Sequence, residues 1–301
     1  MTAANIELQR LLERVEQVLA RFEATLPQVK PLPDWGNSLA FRWRKRGNAG
    51  FLQPVGHPHQ IRLVDLQGID HQKVLIEQNT RQFLAGLTAN NVLLTGARGT
   101  GKSSMVKALL NKFSPDGLRL IEVDKRDLTD LPDIVDLVAD IPFKFILFCD
   151  DLSFDADEPG FKALKVILDG SISATSENLL IYATSNRRHL MPEFMRENLE
   201  TRYLGEEIHP GESVEEKISL SERFGLWVSF YPFSQEEYLK IVDYWLGELE
   251  VPACKKGAES HSEALQWALT RGSRSGRVAW HFARDWAGRH RLISTSMREK
   301  S

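Results

Sequence analysis

The sequence predicts an α/β fold: a parallel sheet covered by helices on both faces, with a helical extension before it and a helical lid after it. Three observations carry that reading. Short apolar runs of strand length alternate with helical periods through the middle of the chain. One such run passes through a glycine-rich turn straight into a helix at 96–103. Beyond Pro232 the pattern becomes purely helical. Apolar strands separated by helices indicate a parallel sheet buried on both sides.

Taken in order, Ile6 to Phe22 places Leu8, Leu11, Leu12, Val15, Leu19 and Phe22 at spacings of three and four, one face of an amphipathic helix. Prolines at 27, 31 and 33 end it. Residues 34–60 show no sustained period and read as a connector. A second helix is expected from Asp70 to Leu87. Strands follow at Asn91–Thr95, Leu118–Val123, Phe143–Phe148, Leu179–Ala183 and Leu226–Phe230, with helices at Lys102–Phe113, Leu131–Val138 and Phe161–Leu168 between them. Gly205–Glu222 holds six glutamates against Lys217 and reads as an acidic loop. Gln235–Leu249, Ser262–Thr270 and Gly276–Trp286 are the lid helices. The expected domains are an extension and connector (1–64), an α/β core (65–233) and a lid with a basic tail (234–301).

Composition fits a chain with its own core. Of 301 residues, 42% are hydrophobic and 26% charged, with a formal charge of −3. Cys149 and Cys254 form no CxxC pair, which speaks against a disulfide framework or a cysteine zinc site. No apolar run approaches membrane length. Glutamates among the first leucines argue against a signal peptide, so a cytoplasmic protein without a membrane partner is expected. From Arg271 to Lys300, seven Arg and one Lys face Asp285 and Glu299, a net of +6, which leaves −9 on the rest. A basic segment on an acidic body suits phosphates or a solvated helix face.

Gly96, Ala97, Arg98, Gly99, Thr100, Gly101, Lys102 and Ser103 fit G-x-x-x-x-G-K-[ST], after a strand and before a helix as that motif requires. Glycines let the backbone turn with positive φ, so that successive amides form an anion nest. The amino end of the following helix adds positive potential. Lys102 would reach the β- and γ-phosphates and the Ser103 hydroxyl would ligate Mg²⁺, with Ser104 next in the nucleotide-binding set. The expected ligands are ATP and Mg²⁺.

The strand at 145–149 ends in Asp150 and Asp151, the usual acidic partner of a phosphate loop. Asp150 is placed to hold Mg²⁺ and Asp151 to polarise the attacking water. The strand at 179–183 turns polar at its end, where Asn186 would orient that water or touch the γ-phosphate.

Together these residues resemble an AAA+ ATPase. Ser221-Glu-Arg-Phe-Gly225 resembles the arginine-finger box, which gives Arg223 a catalytic role across a subunit interface. Arg274-Ser-Gly-Arg277, opening a lid helix, resembles the second sensor, which gives a catalytic role to Arg277, with Arg274 as the alternative. Val64–Ile69 is similar to the segment lining the adenine pocket, so Gly68 and Ile69 join the nucleotide site. A closer likeness is to a bacterial AAA+ ATP-binding family catalogued as a domain of unknown function, carried by the runs 90–104, 145–154 and 182–190 over about residues 40–290. It implies a five-stranded parallel core, a helical lid, and ATP between them. Asp151 departs from the superfamily's common Glu.

Weaker constellations remain. Phe41-Arg-Trp-Arg-Lys-Arg46 surrounds an aromatic with four cations, a client or nucleic-acid surface if exposed and a solvated connector otherwise. His57 and His59 lack a third metal ligand at matching spacing. The tryptophans at 245, 267, 280 and 286 read as lid core. Three functions stay open: a Mg²⁺-dependent, oligomeric ATPase remodelling a protein or nucleic-acid client, a slow ATP-gated scaffold, and a small-molecule kinase.

Overall fold

The computed structural model describes residues 10–18, 33–47, 49–153, 159–169, 177–186, 202–204, 207–209, 222–252 and 257–298. Its strands are β1 (Ala40–Arg46), β2 (Ala49–Pro54), β3 (Val92–Gly96), β4 (Leu118–Glu122), β5 (Lys144–Cys149), β6 (Leu179–Ser185), β7 (Arg202–Leu204), β8 (Glu207–His209) and β9 (Leu226–Phe230). The helices are α1 (10–18), α2 (Asp70–Leu84), α3 (Lys102–Phe113), α4 (Leu131–Val138), α5 (Pro159–Asp169), α6 (Gln235–Glu248), α7 (Ala258–Thr270) and α8 (Gly276–Arg298).

The central strands are apolar on both sides because both faces of the sheet are covered. In β3, Val92 and Leu94 join the layer of α2, α3 and the lid, while Leu93 joins the opposite layer of α4 and α5. In β5, Ile146 and Phe148 take the first layer and Phe145, Leu147 and Cys149 the second. This is the two-residue alternation of a strand with no solvent face.

The sheet has seven strands, not five, in the order β2-β1-β4-β5-β6-β3-β9. All neighbours are parallel except β1 and β2, which pair antiparallel. The two extra strands lie in the stretch 34–60 expected as a connector, so that expectation is corrected. Phe41 and Trp43 are buried in the second core layer, whereas Arg42, Arg44 and Arg46 alternate with them and are exposed. Four cations in six residues hide that alternation. The Trp43 ring lies over Gly50, where a Cβ would come within 1.9 Å of it, and its Nε1 donates to Asp130 at 2.9 Å. Arg42 pairs with Glu122 at 2.6 Å and Lys45 with Asp130 at 2.8 Å.

Pro232 follows β9, and Ser234 opens α6 with a capping box. Glu237 N donates to Ser234 Oγ, and Ser234 N donates to the Glu237 carboxylate. The three lid helices close around Tyr238, Val242, Ala264, Phe282 and Trp286, in one apolar cluster with Ile69, Met105 and Phe233 of the α/β part. Leu11, Leu12, Val15 and Val18 of α1 are exposed. The hairpin β7–β8 enters the segment read as an acidic loop, most of which lies outside the described residues, as does Ser221. Among the described residues no helix is long and apolar enough to cross a membrane.

Candidate functional site

The carboxyl ends of β3, β5 and β6 converge, and each delivers one part of the site. At the end of β3 the chain turns through Gly96, Gly99 and Gly101 with φ of 130°, 76° and 103°. A side chain fits at neither of the first two: a Cβ at Gly96 would lie 1.9 Å from Phe230 O, and one at Gly99 would lie 2.7 Å from Ser275 Oγ. Gly101 starts α3 without a capping side chain, so the first amides of the helix stay available to an anion. Thr100 Oγ1 donates to Ala97 O at 2.8 Å and braces the loop.

Lys102 is buried beneath this loop. Its ammonium donates to Gly96 O and Ala97 O at 2.7 Å each and to Asn186 Oδ1 at 3.0 Å. Burial pushes its pKa down to about 8. Asp150 and Asp151 oppose that shift, and the positive charges of Arg277 and Arg98 add to it.

Asp150, just past β5, accepts from Ser103 Oγ and from Thr184 Oγ1, both at 2.6 Å. A hydroxyl and a carboxylate at this separation form an oxygen donor set that suits Mg²⁺, which keeps water and phosphate among its ligands. Among the described residues no cluster of three His, Cys, Asp or Glu could hold a metal by itself, which also applies to His57 and His59. Asp151 has φ of 53°, unusual for a residue with a side chain. Its amide donates to Thr184 Oγ1 at 2.9 Å. Its carboxylate accepts from Asn186 Nδ2 and stands 3.8 Å from the Arg98 guanidinium.

These groups open into a cavity of about 1010 Å³. Arg98 through Ser104 form one end of it, with Asp150, Asp151, Thr184 and Asn186 beside them. Leu66, Gln67 and Ile69 form a second wall that starts beside the loop, since a Cβ at Gly101 would lie 3.4 Å from Ile69 Cδ1, and Gly68 between them packs against Phe233 with φ of 75°. Asn111 of α3 holds this segment by donating to His59 O and Ile61 O at 2.6 and 2.7 Å. The lid supplies the remaining wall. Gly276 N, at the start of α8, donates to Gly99 O at 2.9 Å, and Arg277 faces the cavity. Arg274 is exposed and is not part of the wall.

Sequence reasoning missed several wall residues. Trp245 and Trp280, expected as core, both line the cavity, with ring centroids 4.5 Å apart; Trp267 and Trp286 do pack in the lid interior. Phe233, Ile241, Lys107 and His281 also line it. The spacing of Trp280 and His281 from Arg277, one helical turn, was the available signal. Arg223 is not brought to this cavity: it pairs with Asp169, at the end of α5. It precedes β9, which runs parallel to β3. It therefore sits at the opposite end of the sheet from the phosphate loop.

Residues 36–290 match the family described as Protein of unknown function (DUF815). No curated protein matches the chain. Solved structures of similar fold include the AAA domain of FIGL-1 in complex with ADP, 18% identical with a TM-score of 0.50, covering 80% of this chain and 78% of that one. Aeropyrum pernix ORC1 in complex with DNA is 14% identical with a TM-score of 0.53, over 75% of this chain and 59% of that one. A point variant of Thermotoga maritima RuvB is 14% identical with a TM-score of 0.50, over 75% and 64%. The chain spans less than two thirds of the ORC1 and RuvB chains, and at these identities the likeness is one of fold. The chain belongs to the DUF815 family, and its fold is that of the AAA+ P-loop NTPases.

Proposed function

We propose that the protein binds Mg·ATP in the cavity between core and lid, hydrolyses it, and uses the nucleotide state to move the lid against the core on a protein or nucleic-acid client. The observation that carries this reading is the convergence of Lys102, Ser103–Asp150 and Asp151–Asn186 at the carboxyl ends of three parallel strands. The ADP held by the FIGL-1 neighbour supports the nucleotide part.

In this reading Lys102 exchanges its loop carbonyls for β- and γ-phosphate oxygens. Ser103 and Asp150 hold Mg²⁺, which when bound neutralises charge on those oxygens. Asn186 orients the attacking water and Asp151 accepts its proton. Arg277 reaches the phosphates from the lid, and Arg223 serves a neighbouring copy in an oligomer. Slow turnover is favoured by one observation: the Asp151 carboxylate is one methylene shorter than Glu and is already engaged by Asn186 and Arg98.

The test is calorimetric titration with Mg·ATP. The parent is expected to bind, and Lys102→Ala to lose most of that affinity and all turnover. Equal affinity in both proteins would remove the phosphate-loop assignment.

A further inference from the structure

We infer that Arg62 and Tyr244 are positioning residues for the base end of the cavity: with Asp65 and Glu248 they latch lid helix α6 to the segment 61–69 and thereby set the wall made by Trp245 and Trp280. The inference rests on the reading that the cavity takes a nucleoside triphosphate.

The centre of the latch is Asp65, buried at 7% exposure at the end of the short 3-10 turn Leu63–Asp65. Every oxygen of its carboxylate is engaged. Oδ2 accepts from Arg62 N at 2.7 Å. Oδ1 accepts from Arg62 Nε at 3.0 Å, from Arg62 Nη2 at 2.6 Å and from the Tyr244 hydroxyl at 2.7 Å. Arg62 Nη2 also reaches the Tyr244 oxygen at 3.3 Å and the Glu248 carboxylate. Burial raises the cost of the Asp65 charge, and these donors outweigh it, leaving the carboxyl below its ordinary pKa.

Two bodies meet here that are remote in sequence. Arg62 and Asp65 belong to the segment whose next residues, Leu66, Gln67 and Ile69, form one wall. Tyr244 and Glu248 belong to α6, whose Ile241 and Trp245 form the facing wall. The Tyr244 ring packs edge-on against Trp245 at 5.1 Å, and Trp245 in turn packs on Trp280. Asp65 itself borders the cavity, with Oδ1 taken by Arg62 and Tyr244 and Oδ2 by the Arg62 amide, so its carboxylate is committed first to the latch. Its effect on a ligand passes through the position of the two indoles. Lys102, Ser103, Asp150 and Asp151 are held by the phosphate loop, Thr184 and Asn186, and none of their hydrogen bonds goes to these four residues.

That asymmetry sets the test, which compares ATP with inorganic tripolyphosphate by calorimetry, with tryptophan fluorescence as a second readout. Tyr244→Phe keeps the ring and deletes the hydroxyl. Loss of one hydrogen bond to a charged group should weaken ATP by about tenfold, leave tripolyphosphate within about twofold, and change the fluorescence response to ATP. Glu248→Gln lies at the exposed end of the latch, keeps the Arg62–Asp65 pair, and should shift ATP in the same direction by less; it decides the matter if Tyr244→Phe does not fold. Parallel losses for ATP and tripolyphosphate, or unchanged ATP affinity in both variants, would overturn the latch while leaving the nucleotide reading intact. A parent protein that binds neither probe overturns both.

Discussion

The Lys102 ammonium lies 3.0 Å from Asn186 Oδ1, while the nitrogen of the same amide donates to Asp151. Only one orientation of the amide satisfies both neighbours, because the ammonium has no acceptor and the carboxylate no donor. One side chain just past β6 therefore ties the buried lysine of the phosphate loop to the candidate base.

This arrangement separates the two aspartates. Asp150 is bound to Ser103 and Thr184, on the side of the proposed magnesium ligands, whereas Asp151 faces Asn186 and Arg98. Asp151→Asn should keep Mg·ATP bound and lower turnover by about 10²–10⁴-fold, the usual cost of losing a general base. Asp150→Asn should instead lower the affinity for Mg²⁺ and raise the Mg²⁺ concentration that ATP binding and turnover require. Asp151→Glu should hydrolyse faster than the parent. Equal loss of ATP affinity in both Asp→Asn variants, measured by calorimetry, would contradict the division of roles.

Lys102 also gives a pH prediction. An exposed lysine keeps its proton to about 10.5, but in the folded protein burial lowers that to about 8. Between those values the unfolded chain binds more protons than the folded one, so stability rises with pH across the window. Below about pH 8 the cost of the buried charge is fully present. Phosphate oxygens beside the ammonium favour its charged form, so ATP binding should take up about three quarters of a proton at about pH 8.5 and almost none at about pH 6.5. Binding enthalpies in buffers of different ionisation heat measure this uptake. The same proton count at both pH values, or unchanged uptake in Lys102→Met, would contradict it.

The parts of the molecule legible in the sequence share one property: their signal is local. Strands β3, β5 and β6 are covered on both faces, so they read as unbroken apolar runs, and each motif sits where such a run ends. β1 escaped notice because cations occupy its outer positions beside Phe41 and Trp43, and its ion partners, Glu122 and Asp130, are about 80 residues away. Trp245 and Trp280 escaped for a related reason. An indole on an amphipathic helix reads as core until the lid is folded back, and the contact of Gly276 with Gly99 that does this joins residues 177 positions apart.

The corrected role of β1 can be tested directly. Trp43 is 5% exposed and hydrogen-bonded to Asp130. Trp43→Ala should cost about 3–5 kcal/mol in urea unfolding, a loss a solvated connector would not show. Client binding through this run is left to the exposed Arg44 and Arg46, because Arg42 and Lys45 are paired within the chain. Neutralising Arg44 and Arg46 should leave ATP affinity unchanged. If the parent shows salt-dependent DNA binding, the same change should reduce its salt slope. A parent without such binding ends the nucleic-acid version of the idea.

Arg223 is expected to act on the nucleotide of a neighbouring copy. In its own chain it is tied to Asp169, and it stands at the amino end of β9 while the phosphate loop leaves the carboxyl end of β3. With the two strands parallel, the guanidinium cannot reach the cavity of the same subunit. Its charge persists at every accessible pH and its planar fork suits the oxygens of a transferring phosphoryl group. Arginine fingers contribute about 10³–10⁵ in rate, so an isolated subunit should hydrolyse ATP very slowly. Turnover per subunit should therefore rise with protein concentration. Arg223→Ala and Lys102→Ala, each inactive alone, should recover part of the activity when mixed, because one protein supplies an intact pocket and the other an intact finger. Turnover independent of concentration, together with no recovery on mixing, would reduce Arg223 to an intrachain tie between the start of β9 and the end of α5.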